Sequence, residues 1–199
     1  MKGLLLLLLP AVAWASPSLD KLDAMAKGTK TLTADLTQTS RSKLFKQVLV
    51  QHGRLVFRAP RQIRWEYTTP DPSLLVLDGD HATMTSPGAA PQVFDLRKDA
   101  TMGAIFEQLL TFVGGGSLSQ AESAYTLTVG GSDRAPMITL VPRPGSPADK
   151  VFGKIELTLD RAGVVDKIDL HEKSGDEKTI VFTKIVRNGT VPDGSFATK

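Results

Sequence analysis

The chain has 199 residues, 41% of them hydrophobic, with 17 glycines, 12 prolines and no cysteine. That length and apolar share suit one domain with its own core, and the glycine and proline content suits a turn-rich β protein. Without cysteine there are no disulfides, thiolate metal sites, cysteine nucleophiles or cysteine-borne acyl anchor, and a formal net charge of +3 is too mild to argue for nucleic acid.

The N-terminus reads as a secretory signal peptide over residues 1–15. Met1-Lys2 gives the positive start, Leu4 to Leu9 the apolar run, and Ala13-Trp14-Ala15 a small-x-small cleavage site. The run is shorter than the roughly 20 residues a membrane-spanning helix needs. Cleavage after Ala15 leaves a single domain, 16–199, that starts on Ser16 and is expected in the periplasm of a Gram-negative cell. Ser16-Pro17 reads as an N-cap and first helical position, and Leu19, Leu22, Met25 and Ala26 recur at helical spacing before Gly28, so a helix is predicted over 17–27.

Strands are predicted at 31–41 and 46–58. In the first, Leu32, Ala34 and Leu36 alternate with Thr33, Asp35 and Thr37. The stretch from Gly53 to Gly79 is the most informative. Leu55 and Phe57 oppose Arg54 and Arg58; Ile63, Trp65 and Tyr67 oppose Arg64 and Glu66. A period of two marks a sheet with one apolar and one wet face. Ala59-Pro60 and Pro70-Asp71-Pro72 fall where turns are expected. Strands at 82–85 and 92–96 follow. Asp99 then caps a helix over 99–113 whose stripe is Met102, Ile105, Phe106, Leu109, Leu110 and Val113. Gly114-Gly115-Gly116 reads as a flexible joint and 117–123 as a further short helix. Strands return at 125–129, 137–141, 153–160, 164–172 and 179–186. Hairpin turns are expected at Arg161-Ala162-Gly163 and Ser174-Gly175-Asp176, and a surface loop over 142–147. About ten antiparallel strands with few helices predict a mainly β (α+β) fold: one long, strongly curved sheet with helices over its concave side.

Catalytic chemistry is sparse. His52, His81 and His171 lie far apart without metal-ligand spacing, and no HExxH, GxSxG or phosphate-loop pattern occurs. Asp78-Gly79-Asp80 lacks the downstream glutamate of a calcium loop and reads as a turn. The pairs Asp71/Asp78 and Asp166/Asp169 read as wet faces and turns. The reading is therefore not an enzyme, with no metal and no cofactor. An apolar interior with few convergent polar groups fits both an ordinary core and a site for a hydrophobic ligand.

Three motifs carry a family resemblance: Gly53-x-Leu55 through Pro60, Ile63-Arg64-Trp65-Glu66-Tyr67-x-x-Pro70, and Leu75-x-Leu77-Asp78-Gly79, with Thr37-Gln38 upstream. In these the chain resembles the LolA family of periplasmic outer-membrane lipoprotein carriers over essentially its whole mature length. The resemblance implies an incomplete β-barrel with an α-helical lid over a hydrophobic cavity. It assigns Leu36, Leu55, Phe57, Ile63, Trp65, Tyr67, Leu75, Leu77 and Phe94 to the cavity lining and Ile105, Phe106, Leu109 and Leu110 to the lid. It implies a monomer whose cargo is an acylated lipoprotein. That cargo is received from an inner-membrane ABC lipoprotein-releasing transporter and passed to a LolB-like outer-membrane receptor, or directly to the outer membrane. Two alternatives share the fold: a carrier of another lipid or glycolipid, and a lipoprotein-sensing module resembling RseB, which has a further C-terminal domain. There are two departures. The family's lid-latching Arg-Pro is Ala59-Pro60 here, so Arg58 and Arg61 become the latch candidates. Asn188 to Phe196 resembles the start of the family's final segment, but the sequence stops at Lys199 without the usual extension.

Overall fold

A computed structural model describes residues 18–44, 47–114 and 117–198, without the side chains of Met25 and Ala26. The signal peptide and its cleavage site, the Ser16-Pro17 helix start, and Gly115 and Gly116 of the joint lie outside the described residues.

Helix α1 (Leu19–Ala26) is capped by Ser18, whose Oγ accepts the Lys21 N–H at 3.3 Å. Six strands follow: β1 (Thr31–Arg41), β2 (Val48–Arg58), β3 (Gln62–Thr69), β4 (Ser73–Asp78), β5 (His81–Thr85) and β6 (Gln92–Asp95). Next come helix α2 (Ala100–Val113) and a 3-10 helix (Leu118–Ser123). The remaining strands are β7 (Tyr125–Ser132), β8 (Ala135–Pro142), β9 (Phe152–Leu159), β10 (Val165–Glu172) and β11 (Glu177–Arg187). Among the described residues no helix is long and apolar enough to cross a membrane.

All eleven strands form one antiparallel sheet in the order β6-β5-β4-β3-β2-β1-β11-β10-β9-β8-β7. Edges β6 and β7 do not pair, so the barrel stays open. Register lines the inward side chains into rows across the sheet. Leu32, Phe57, Ile63, Leu77, Ala82 and Phe94 form one. Ile180, Ile168, Leu157, Ile138 and Val129 form another on the far half. Both halves contribute to a single buried cluster that also takes in Phe106 and Leu110 of α2. Curvature brings them together. Trp65 on β3 and Phe182 on β11 stand three strand spacings apart, ~14 Å along the sheet, yet their rings meet edge to face with centroids 5.7 Å apart.

Gly53 shows what the tight curve demands. It lies opposite Leu36 and Tyr67, at a register shift in the β2–β3 pairing. A Cβ there would stand 1.9 Å from the Glu66 carbonyl oxygen. Only glycine allows the two backbones so close.

The outer face carries a smaller apolar cluster, Val56 and Val76 with Val191 and Phe196. The C-terminal segment crosses here, after β11. Arg58 Nη2 donates to the carbonyls of Val191 (2.7 Å) and Pro192 (3.2 Å), and the guanidinium sits 5.2 Å from the Phe196 ring centroid. Arg64 Nη1 donates to Ala197 O at 2.8 Å.

Candidate functional site

The concave face of the sheet and the helix across it make the candidate site. Alternation sends Leu36, Leu55, Phe57, Ile63, Trp65 and Leu77 inward, where all six are buried; Tyr67, Leu75 and Phe94 are partly buried against the same cluster. Trp65 packs against both Phe182 and Tyr67, the latter at 6.3 Å between centroids. The Tyr67 hydroxyl donates to Gln38 Oε1 at 2.6 Å, and burial raises its pKa. This gives the apolar interior a polar rim.

α2 closes the concavity. Asp99 Oδ1 accepts the Met102 N–H at 2.9 Å and starts the helix as expected. Of the lid residues predicted from sequence, Phe106 and Leu110 are buried and Leu109 is half-buried, but Ile105 is exposed. The inward face instead includes Phe112 and Val113. The helix is turned so that its C-terminal turn is the deeper end. Gly114 shows how deep: a Cβ there would stand 2.6 Å from the Phe57 ring. Gly114, read from sequence only as part of a joint, is also a point of close packing.

Three polar clasps hold the lid and its neighbouring turn. Arg61, in the β2–β3 turn, donates from Nη1 to Glu107 Oε1 on α2 at 2.5 Å and from Nε to Gly79 O at 3.3 Å. Tyr125, at the start of β7, donates its hydroxyl to Gln108 Oε1 on α2. Burial, opposed by that bond, pushes the Tyr125 pKa up to about 12. The third clasp lies beyond the glycine joint. Asp23 of α1, itself buried, accepts Ser117 Oγ at 2.6 Å and the backbone N–H groups of Leu118 and Ser119. Burial alone would raise the Asp23 pKa, but these bonds outweigh it and hold the group below its usual range.

The two latch candidates therefore face opposite sides. Arg61 touches the lid, whereas Arg58 holds the C-terminal segment on the outer face. The glutamate, glutamine and tyrosine of the clasps carry no motif, and only the position of α2 reveals them. Phe182 could have been found from the alternation of β11.

With the lid down, the inward side chains of the sheet and of α2 pack into one buried cluster. A cavity of about 20 Å³ lies between the C-terminal turn of α2, β1 and the β9–β10 turn, lined by Leu32, Phe112, Val113, Leu118 and Val164 among others. It has room for about one water and none for an acyl chain.

The model of the family described as outer membrane lipoprotein carrier protein LolA matches residues 27–199. The chain belongs to the LolA family. It is similar to the outer-membrane lipoprotein carrier protein of Chromobacterium violaceum, with 30% identity over 95% of this chain and 86% of the relative. The protein of the same description from Dechloromonas aromatica is 28% identical over 95% of this chain and 86% of its own. Among solved structures, the Pseudomonas aeruginosa MucA/MucB complex aligns at a TM-score of 0.50 and 17% identity, over 91% of this chain and 59% of that one. At that identity the likeness is one of fold. In this chain the arginine that reaches α2, Arg61, stands two positions after Ala59.

Proposed function

We propose that residues 16–199 act in the periplasm as a non-enzymatic carrier. The concave face takes the acyl chains of a lipoprotein released from the inner membrane and yields them at the outer membrane. The observation that carries this reading is a helix laid over the apolar concave face of an open sheet, packed on it through Phe106, Leu110, Phe112 and Val113 and clasped at its flank by Arg61 and Tyr125. Leu36, Leu55, Phe57, Ile63, Trp65, Tyr67, Leu75, Leu77 and Phe94 would line the opened cavity. Phe106, Leu109 and Leu110 would form the lid face.

The magnitudes favour displacement of the lid by cargo. Burying an acyl chain gains ~0.8 kcal/mol per CH₂, so a chain of some fourteen methylenes gains on the order of 11 kcal/mol. Each clasp contributes about 1 kcal/mol net. Lifting Phe106, Leu110, Phe112 and Val113 off the sheet costs ~1.5–3 kcal/mol apiece if they are left in water, but acyl chains that take their place restore most of that contact. An empty molecule therefore rests closed, and a loaded one opens. Handover needs only a next site that binds the same chains more tightly.

The test is native mass spectrometry of the protein taken from its own periplasm, followed by release and identification of its ligand. Triacylated lipoprotein is the expected result. Free phospholipid or glycolipid would reassign the cargo. A protein that is empty and also fails to take up a triacylated lipopeptide in vitro would refute the carrier reading.

A further inference from the structure

Neighbouring strands change character at one level of the concave face. On β1 the inward row of Leu32, Ala34 and Leu36 continues with Gln38 and Ser40. Gln51 of β2 pairs with Gln38, and Tyr67 of β3 follows Ile63 and Trp65. On β11 the buried Phe182 and Ile180 give way to Lys178, which pairs with Ser40. On β10 Glu172 follows Ile168 and Leu170, both packed in the core cluster. These polar side chains join across the strands. The Tyr67 hydroxyl donates to Gln38 Oε1 at 2.6 Å, and Gln38 Nε2 donates to Gln51 Oε1 and to Ser40 Oγ, both at 3.2 Å. Lys178 Nζ donates to Glu172 Oε1 at 2.6 Å, and Ser174 Oγ donates to Glu172 Oε2 at 3.4 Å. Tyr67, Gln38, Gln51, Ser40, Lys178 and Glu172 are all half-buried. An ordinary wet strand end would leave such side chains bonded to water rather than to one another. The girdle also stands well away from the lid. Gln38 is six residues along β1 from Leu32, ~20 Å, and it is Phe57, the partner of Leu32, that meets Gly114 at the C-terminal end of α2.

We propose that this girdle seats the uncharged ester and amide head of the cargo and turns away lipids with an anionic phosphate head. An acyl chain lying along the strands with its methyl end under α2 leaves the carbonyl that joins it to the rest of the molecule at the girdle. The girdle offers donors to such carbonyls. Gln51 Nε2 donates to no protein group among the described residues, and Ser40 Oγ accepts from Gln38, which leaves its own proton to donate. Glu172 keeps lone pairs for a peptide N–H beside those that Lys178 and Ser174 use. The two charged members, Lys178 and Glu172, cancel. A phosphodiester placed here would gain Lys178 but bring a second anion against Glu172, whose side chain is only 18% exposed, so water screens the repulsion weakly. A neutral head meets no such repulsion, and selectivity follows from what a site repels as well as from what it binds.

The inference deepens the carrier reading and rests on it. Burial of an acyl chain gains the same per methylene whether the chain belongs to a phospholipid or to a lipidated peptide, so the apolar face alone cannot tell them apart. A few placed polar groups at the end of an apolar site can.

The experiment offers the purified protein a triacylated lipopeptide with an uncharged peptide and phosphatidylglycerol of matched chain length, in competition from one detergent, and reads the bound species by native mass spectrometry. An alkyl fluorophore without a polar head is titrated in parallel. The parent should prefer the lipopeptide roughly tenfold. Glu172→Gln leaves Lys178 unpaired and should erase most of that preference by raising phosphatidylglycerol uptake. Adding Lys178→Gln to the same chain removes the charge again and should restore the preference. Gln38→Leu/Gln51→Leu should lower lipopeptide binding roughly tenfold relative to the fluorophore. A preference that Glu172→Gln leaves unmoved, one that the double variant does not restore, or a lipopeptide-to-fluorophore ratio unchanged by the glutamine substitutions would each overturn the proposal. Parental uptake of both lipids without preference would overturn the girdle and leave the carrier reading standing. Parental uptake of neither lipid nor fluorophore would refute the carrier reading and the girdle with it.

Discussion

Replacing Arg61 by leucine should loosen the lid without unfolding the sheet. Leucine keeps part of the aliphatic stem and removes the guanidinium that reaches Glu107. A hydrogen bond between charged groups contributes ~1.5–3 kcal/mol when shielded. The Arg61 side chain is 30% exposed and that of Glu107 58%, so solvent screening lowers this one. Exposed pairs measure ~0.2–1 kcal/mol, and the partly shielded Arg61, which also donates to Gly79 O, places this pair near the upper end. A loss of about 1 kcal/mol raises the open population roughly fivefold. Hydrogen exchange reads it directly: amides of Phe106 to Val113 should exchange about fivefold faster, while those of β2, β3 and β9 stay unchanged. Added salt should speed exchange of the parent helix towards the variant and leave the variant unmoved, because only the parent has the ion pair to screen. Unchanged protection of α2, or a rise spread evenly over the sheet, would refute Arg61 as the latch.

The other arginine should behave differently. Arg58→Ala should free the C-terminal segment, seen as faster proteolysis around Val191 to Phe196, with α2 exchange unaltered; lid exchange rising as in the Arg61 variant would contradict the assignment. Tyr125→Phe should loosen α2 by a further ~1 kcal/mol, roughly additive with Arg61→Leu because the two clasps share no partner. Tyr125 also links stability to alkaline pH. Its folded pKa, about 12, lies above the ordinary value of 10.0, so its contribution is complete below pH 10 and disappears as pH rises towards 12. Denaturant midpoints should fall across that window, and less steeply in Tyr125→Phe; Tyr67, raised by burial, and Lys184, raised by its bond to Asp35, contribute to the remaining slope. Asp23→Ala leaves the donors of Ser117, Leu118 and Ser119 without their acceptor and should lower stability by ~2–4 kcal/mol in urea titration at pH 7. Because the folded Asp23 pKa is depressed, its contribution is present above pH ~4 and is lost as pH falls through the depressed value. The parent–variant gap should therefore narrow in acid, and a gap constant with pH would refute the charge-dependent clasp.

Much of the architecture was legible in the chain because sheet residues report their own environment. A strand with one wet face must alternate, so Leu32, Ala34 and Leu36, or Ile63, Trp65 and Tyr67, declare their side before any partner is known. The expected span 31–41 is the observed span of β1, and the expected helix 99–113 is α2 with its Asp99 cap. Periodicity is coarser for a helix. A stripe at helical spacing spreads around the cylinder by more than the buried arc, which is why Ile105 lies outside it and Phe112 within.

By itself the sequence determined the strand faces, the capped amphipathic helix and the turn positions, since each depends on neighbours a few residues away. Tertiary structure alone decided which arginine meets the lid. Alternation already sets Arg58 opposite Phe57, off the apolar face, but nothing local shows that Arg61, beyond the turn, reaches α2. The curvature of the sheet brings Glu107 to one and the C-terminal segment to the other. The same curvature requires Gly53 and lets Trp65 reach Phe182. Contacts among residues far apart in the chain follow from how strands twist and coil together, and that is a property of the whole sheet rather than of any segment.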